Sequence, residues 1–475
     1  MGNPKAFLTI KRKESGYRPL HDRVYDYAEV EQTLNIEDRK IQASRCMDCG
    51  VPFCHWACPL GNRQSEWQEL AWRGKWKQAY EVLTSTDDFP EFTGRICPAL
   101  CEKSCILKLH DQPVTIRENE VSIVERAFAE GHVYAHPPKK RTGKRIAVIG
   151  SGPAGLAVAN QLNKQGHSVT VFEKDEYIGG LLRLGIPDFK LSKRVVERRI
   201  ALMRHEGVEF RTSAWIGKDI SALQLVGDFD AVCLAIGSGV PRDLPVEGRD
   251  LKGVYFALDL LKQQNRINAG GDIPAEERMS AKNKHVLVIG GGDTGSDCVG
   301  TSVRQGAMKV TQIEIMPQPP EGYNPETPWP AYPNVLKTSS SHQEGCERRW
   351  NLETKRFVGE NGVVTGAEVE RVEWTRDEED KWQLNRTGET EIIKADIVLL
   401  SMGFVHPVHD DVVAELDLAL DGRKNISVDE AQNCLPGKIF AAGDAAQGAS
   451  LVVRAIASGR RAAGNIDRFL SEKQP

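Results

Sequence analysis

Seven of the eleven cysteines in this 475-residue chain lie between residues 46 and 105, in two tight groups. Cys46, Cys49, Cys54 and Cys58 form a C-x2-C-x4-C-x3-C run closed by Pro59, and Cys97, Cys101 and Cys105 follow in TGRICPALCEKSC. Thiolates are soft ligands, and in groups they suit iron–sulfur clusters or zinc. Both metals fit at this point; buried free thiols are a poor account of so dense a set. Two glycine-rich turns carry a second chemistry. RIAVIGSGPAGLAVANQLNKQGHSVTVFEK and HVLVIGGGDTGSDCVGTSVRQGAMKVTQIEI each read as strand, G-x-G-x-x-G turn, helix and acid-tipped strand. The first holds Gly150, Gly152, Gly155 and Glu173; the second holds Gly290, Gly292, Asp293, Thr294, Gly295 and Glu314. In such a unit the glycines allow a tight turn and close backbone approach. The helix N-terminus offers free N–H groups to a pyrophosphate, and the acid accepts a ribose hydroxyl. Two units predict two dinucleotides.

Around these residues the chain needs a body to hold them. Its length suggests two to four domains. With 40% hydrophobic and 27% charged residues and a net charge of −4, it has the composition of an ordinary soluble protein. Nothing in the charge pattern points to nucleic acid or an anionic membrane. No apolar run approaches 18 residues and the N-terminus lacks a signal-peptide core, so a cytoplasmic protein is expected. A reducing compartment turns the cysteines toward metal or redox roles. Residues 1 to about 45 read as a polar, solvated arm, with docking on a partner as the other reading. Ser65 to Leu83 reads as one helix, with Trp67, Leu70, Ala71, Trp76 and Tyr80 as the core of a small helical domain. A second helix is predicted in DQPVTIRENEVSIVERAFAEG, and a Pro- and Lys-rich linker ends this domain near residue 143. Residues 228–248 and 395–404 read as strands that return the chain beside each nucleotide. A last strand ends at Gly443-Asp444, and a helix starts near Ser450. The predicted fold is α/β, two Rossmann-like dinucleotide-binding domains preceded by a helical metal-binding domain. The expected boundaries are 1–143 for the helical domain, 144–255 with 403–475 for the first dinucleotide domain, and 256–402 for the second.

The cysteine rhythm is similar to that of bacterial two-cluster ferredoxins, in which a Pro-linked fourth cysteine ligates the opposite cluster. The order GSGPAG, return strand, GGGDTG, FAAGD resembles the two-dinucleotide flavoprotein reductases. That likeness implies FAD at the first and last segments and NAD(P)H at the middle one, with Gly180, Gly443, Asp444 and Leu451 as further flavin contacts. Cys233 and Cys298 stand alone and neither dinucleotide domain holds a CxxC, so the dithiol chemistry of some of these reductases is not expected. The front domain resembles the small subunit of glutamate synthase and the electron-input half of dihydropyrimidine dehydrogenase. The run NPETPWPAYPNVLKTSSSHQEGCERRW (residues 324–350) is similar to the glutamate-synthase branch, above all its fused eukaryotic type. The run itself reads as an extended excursion with no assignable catalytic role.

This resemblance implies two 4Fe–4S clusters, one on Cys46, Cys49, Cys54 and Cys105, the other on Cys58, Cys97 and Cys101. Glu120 falls where the pyrimidine enzyme has an amide ligand, and is the expected eighth ligand. It also implies a large-subunit partner that makes glutamate from glutamine and 2-oxoglutarate. No acid/base pair or catalytic triad is expected, because the cofactors carry the chemistry. The chain begins Met1-Gly2, without the nucleophilic cysteine of a glutaminase, and leaves no room for an FMN barrel. Other readings are an electron-input subunit or stand-alone NAD(P)H:acceptor reductase of the same architecture, and a zinc-stabilised nucleotide-binding scaffold. Glu314, with no Arg or Lys between Lys309 and residue 323, favours NADH over NADPH. Arg304 and Lys309 are the cations within reach of a 2′-phosphate there.

Overall fold

The computed structural model describes residue 3, residues 5–435 and residues 437–472. In the front domain, helices Ile36–Ala43, Gln64–Trp72, Trp76–Thr86 and Ile116–Ala129 close on Trp67, Ala71, Ala79, Leu83 and Ile123. The expected single helix over 65–83 is two helices, because Gly74 takes φ +71° and turns the chain between them. Helices Pro90–Ile96 and Ile116–Ala129 touch almost backbone to backbone. A Cβ on Gly94 would lie 2.8 Å from that of Val121.

Behind this domain stand two sheets. The first runs, in spatial order, 433–435, 439–441, 231–234, 145–149, 168–172 and 209–211. It is parallel throughout except for the outermost pair, 433–435 with 439–441. Helices Pro153–Lys164 and Val452–Glu472 cover one face and bury Leu156, Val158, Ile456 and Ile466 there. The second sheet is parallel, in the order 254–256, 397–400, 285–289, 309–313 and 347–349. A three-stranded antiparallel meander, 352–360, 363–376 and 382–394, is attached to it. The return strands expected in 228–248 and 395–404 each pair with the first strand of their own fingerprint. The two sheets are joined by a two-stranded ribbon, Val240–Pro241 against Phe404–His406. Since Val254–Phe256 already pairs into the second sheet, the crossing lies in the loop before it and not at residue 255. Both acids, Glu173 and Glu314, directly follow their strands, Ser168–Phe172 and Lys309–Ile313; Glu314 is not inside its strand.

The solvated arm of the sequence reading is a strap that touches all three bodies. In the front domain, Arg12 pairs with Glu102 at 2.9 Å and Glu31 with Arg117. On the first sheet's domain, the Val30 N–H donates to the Phe189 carbonyl at 3.0 Å. On the second, Arg23 Nε meets Glu344 Oε1 at 2.9 Å, with side chains 4% and 0% exposed, and Arg304 holds the same carboxylate. Arginines looked like solvation because sequence alone does not show the buried carboxylates that wait for them.

Candidate functional site

The cysteines divide between two places. Cys46, Cys49, Cys54 and Cys105 surround one cavity, whose apolar wall includes Phe53, Leu107 and Ile116. The thiols of Cys58, Cys97 and Cys101 gather elsewhere in the same domain, with the Glu120 carboxyl beside them. Backbone N–H groups point at the sulfurs: Asp48 at Cys46, Leu60 and Asn62 at Cys58, Ala99 at Cys97. Asp48 and Ala99 reach these positions with φ of 51° and 58°. Burial pushes the thiols up, Cys46 and Cys97 to about 12 and Cys58 to about 11. Thiolates in such surroundings need a cationic partner, so the donor set suits a metal-bound state. Among the described residues no three His, Cys, Asp or Glu side chains converge on a single ion. Cys46, Cys49, Cys54 and Cys105 are instead set around a space, the arrangement a polynuclear cluster requires.

Glu120 is buried and accepts from Thr93 Oγ1 at 2.6 Å; the same hydroxyl lies 2.7 Å from Asp87 Oδ2. One hydroxyl hydrogen serves only one of these carboxylates, and burial raises the affinity of both for a proton. The second cysteine group is also the one nearest the first sheet's domain. Leu60 and Ile96, which flank Cys58 and Cys97, pack into that domain's core with Phe89 and Phe92. The contact is pinned by the buried pair Glu91–Arg199 and by Asp88, which accepts from Asn160 and Arg460.

Behind it a cleft of about 330 Å³ opens over the first fingerprint, lined by Gly150, Gly152, Glu173, Gly180 and Asp444 among others. The glycines have separate tasks. A Cβ on Gly155 would sit 2.0 Å from the Gly150 carbonyl oxygen, and one on Gly150 would sit 2.4 Å from that of Ala235. Gly152 faces open space, where a pyrophosphate would lie. Gly155, Gly443 and Leu451 do not line the cleft; the N–H of Gly443 donates to Ser458 Oγ. Glu173 is buried and takes hydrogen bonds from the Ser151 and Asp175 N–H groups. Asp444 accepts from Ser450 Oγ at 2.8 Å. Sequence reasoning missed Trp215, Lys174 and Ser238 in the lining, and no motif marks them.

The second fingerprint repeats the pattern. A Cβ on Gly295 would be 2.3 Å from the Gly290 carbonyl oxygen, Gly292 faces open space, and Asp293 and Thr294 begin the helix Asp293–Arg304. The Glu314 carboxylate folds over the loop, within 2.3 Å of where a Gly291 Cβ would stand. Burial raises its pKa, while Arg348 and Trp350 act against that. Of the two cations expected within reach of a 2′-phosphate, Arg304 is locked on Glu344 by a buried pair, and Lys309 pairs with Glu347 at the surface. Arg348 comes from the neighbouring strand, a proximity that strand pairing creates and sequence distance hides.

The excursion 324–350 also has a place. Trp329 packs tilted against Phe53 at 4.7 Å between ring centroids, against the wall of the first cysteine cavity. It ends in the short helix Ser340–Gln343, seated where Gly300 leaves no room for a side chain.

Two family models match the chain: pyridine nucleotide-disulphide oxidoreductase over residues 144–459, and dihydropyrimidine dehydrogenase domain II, 4Fe-4S cluster, over residues 23–132. A glutamate synthase [NADPH] small chain of Mycobacterium tuberculosis is 47% identical, covering 99% of this chain and 96% of its own. Glutamate synthase [NADH] of Saccharomyces cerevisiae is 42% identical over 98% of this chain, which matches 22% of that longer protein. Among solved structures, FprA of Mycobacterium tuberculosis in complex with NADPH shares the fold, with a TM-score of 0.56 and 17% identity over 71% of this chain and 85% of its own. Among the described residues no helix is long and apolar enough to cross a membrane. With both halves matched and near-complete coverage of such relatives, the chain belongs to the glutamate synthase small-chain family, as an NAD(P)H-dependent flavin oxidoreductase with a 4Fe–4S domain.

Proposed function

We propose that this chain is the electron-input subunit of a glutamate synthase, drawing electrons from NAD(P)H and delivering them to a large subunit that makes glutamate from glutamine and 2-oxoglutarate. The observation that carries the reading is the order of the sites in space. The second cysteine group abuts the flavin domain's core, and the first lies farther out beneath Phe53 and Trp329. Bound in these sites, FAD would supply hydride acceptance and one-electron release, and 4Fe–4S clusters a path outward.

The residues' part is placement. Gly150, Gly152 and Gly155 shape the loop for the FAD pyrophosphate, and Glu173 orients its ribose. Gly180 and Asp444 border the flavin. Gly443 and the Leu451 turn set the entry of the last helix. Gly290, Gly292, Asp293, Thr294 and Gly295 form the nicotinamide-nucleotide loop. Cys46, Cys49, Cys54 and Cys105 hold one cluster, and Cys58, Cys97 and Cys101, completed by Glu120, hold the other. Trp56, 72% exposed next to Phe53, marks the face for the large subunit. The domain limits near residues 143, 255 and 402 belong to the same proposal, adjusted by the ribbon crossing.

The test is reconstitution. The purified chain should contain iron and acid-labile sulfide, reduce dyes with NAD(P)H, and make no glutamate until the large subunit is added. Zinc in place of iron and sulfide, or glutamate formation by the chain alone, refutes the reading.

Glu314 supports NADH as the reductant, since a carboxylate over the loop meets a ribose hydroxyl better than a phosphate. A wrong charge pairing there costs about 1–3 kcal/mol, roughly one to two powers of ten in affinity. One observation favours NADPH instead, the Arg348 guanidinium beside Glu314. Steady-state kinetics with both nucleotides should show the higher kcat/KM for NADH; a clear preference for NADPH reverses the assignment and moves the role to Arg348.

A further inference from the structure

A chain of hydrogen bonds runs from the end of the 324–350 excursion into the second glycine loop. The Ser339 N–H donates to His342 Nδ1 at 3.2 Å, and the Ser339 hydroxyl caps the same short helix. On the other side of the ring, His342 Nε2 lies 2.8 Å from Gln312 Oε1. Gln312 Nε2 donates to the Gly290 carbonyl oxygen at 2.8 Å. Each link fixes the next. Gly290 O accepts, so the Gln312 amide nitrogen must face it and its oxygen must face the histidine. That oxygen demands a hydrogen on Nε2, which leaves Nδ1 with the lone pair that the Ser339 N–H needs. The imidazole is thus neutral in one tautomer. Burial and the charges of Arg348 and Lys190 keep it so, lowering its pKa to about 4.

The chain ends on an atom that matters. Gly290 O is the oxygen that a Gly295 Cβ would strike at 2.3 Å, and Gln312 Nε2 is the next atom it would meet, at 2.6 Å. The carbonyl therefore sits at the crossing of strand, loop and helix, and its direction sets where the N–H groups at the start of Asp293–Arg304 point. Ser296 Oγ joins Ser339 Oγ at 2.6 Å, tying that helix's first turns to the same short helix.

We propose that Gln312 and His342 are positioning residues for the nicotinamide nucleotide, holding the 290–295 loop in its phosphate-binding shape from outside the site. The proposal rests on residues 290–295 being the nucleotide site. It gives the SSSHQEG stretch a task in binding, where sequence reasoning found none.

Steady-state NAD(P)H:dye reduction by the full FAD- and cluster-loaded chain tests it. His342→Ala and Gln312→Glu should raise the KM for the nicotinamide nucleotide about tenfold, the loss of about one well-made hydrogen bond, and leave kcat within about twofold. In Gln312→Glu the carboxylate still accepts from His342 but has no N–H for Gly290 O. His342→Gln, which keeps a donor near the Nε2 position, should restore most of the KM. His342→Ala should leave the shape of the pH profile of KM between about 8 and 5.5 unchanged, since an imidazole held neutral by its partners contributes nothing to it there. An unchanged KM in both His342→Ala and Gln312→Glu overturns the proposal. So does an equal fall in kcat and melting temperature that His342→Gln fails to rescue, which is the mark of a merely structural role. Gly292→Val serves as the control for the underlying reading. If it too leaves KM unchanged, residues 290–295 are not the nucleotide site; if it abolishes saturation while His342→Ala does nothing, only the positioning role falls.

Discussion

Replacing Glu91 with alanine should lower stability by about 3–5 kcal/mol, the usual cost of stranding one member of a buried ion pair. The partner left behind is Arg199, whose guanidinium is buried against Phe89 and Phe128. Burial works against its charge and Glu91 offsets that burial; a guanidinium does not give up its proton in a protein, so with the carboxylate gone the charge is left without its main partner. The pair sits where the helical domain meets the flavin domain, and its loss should loosen that contact first. Thermal unfolding followed by both flavin fluorescence and cluster absorbance should show the two signals separating in the variant. A double change of Glu91 and Arg199 to a methionine–leucine pair should recover much of the loss. A Glu91→Ala protein that melts within about 1 kcal/mol of the original, the range of a surface pair, would show that the interface is not built on this contact.

The second large effect concerns electron exit. Cys101→Ser should leave NAD(P)H oxidation by small dyes that accept from the flavin, yet bring glutamate formation with the large subunit to background. Cys101 is buried among Cys58, Cys97 and Glu120, on the flavin side of the helical domain. A cluster missing there interrupts the path without touching either dinucleotide loop. Glu120→Ala separates the ligand role from mere burial. It should alter one cluster's EPR signal and spare the other, whose four cysteines ring a different cavity. Full glutamate synthesis by Cys101→Ser would mean that electrons leave by another way. Removing the whole front domain is a poor substitute for these point changes, since Phe89, Phe92 and Arg199 share one interface with the flavin domain.

What could be read from the chain follows its local rules. Glycine turns, acid-tipped strands and cysteine spacing are short-range patterns, and backbone geometry holds them to fixed intervals; the strand–turn–helix units over Gly150 and Gly290 appear where the patterns placed them. Cys46 and Cys105, far apart in the chain, line one cavity. What escaped was long-range pairing. Arg348 approaches Glu314 only because strand 347–349 lies beside 309–313. Trp329 finds Phe53 across more than 270 residues of chain. The arm looked free because its partners, Glu344 and Arg304, are charged residues in stretches that read as surface. A buried ion pair has no hydrophobic signature in either strand of sequence that forms it.

That arm also sets an order of events in folding. The hydrogen bond from Arg23 to the Ser340 carbonyl joins residues 317 apart, so it closes a loop containing most of the protein. The entropy of such a closure is recovered only when the intervening domains have already compacted. The residues of the strap are therefore among the last to be tied down, after both sheets exist. Until then the faces they cover stay open, including the ground between Phe189 and the helical domain.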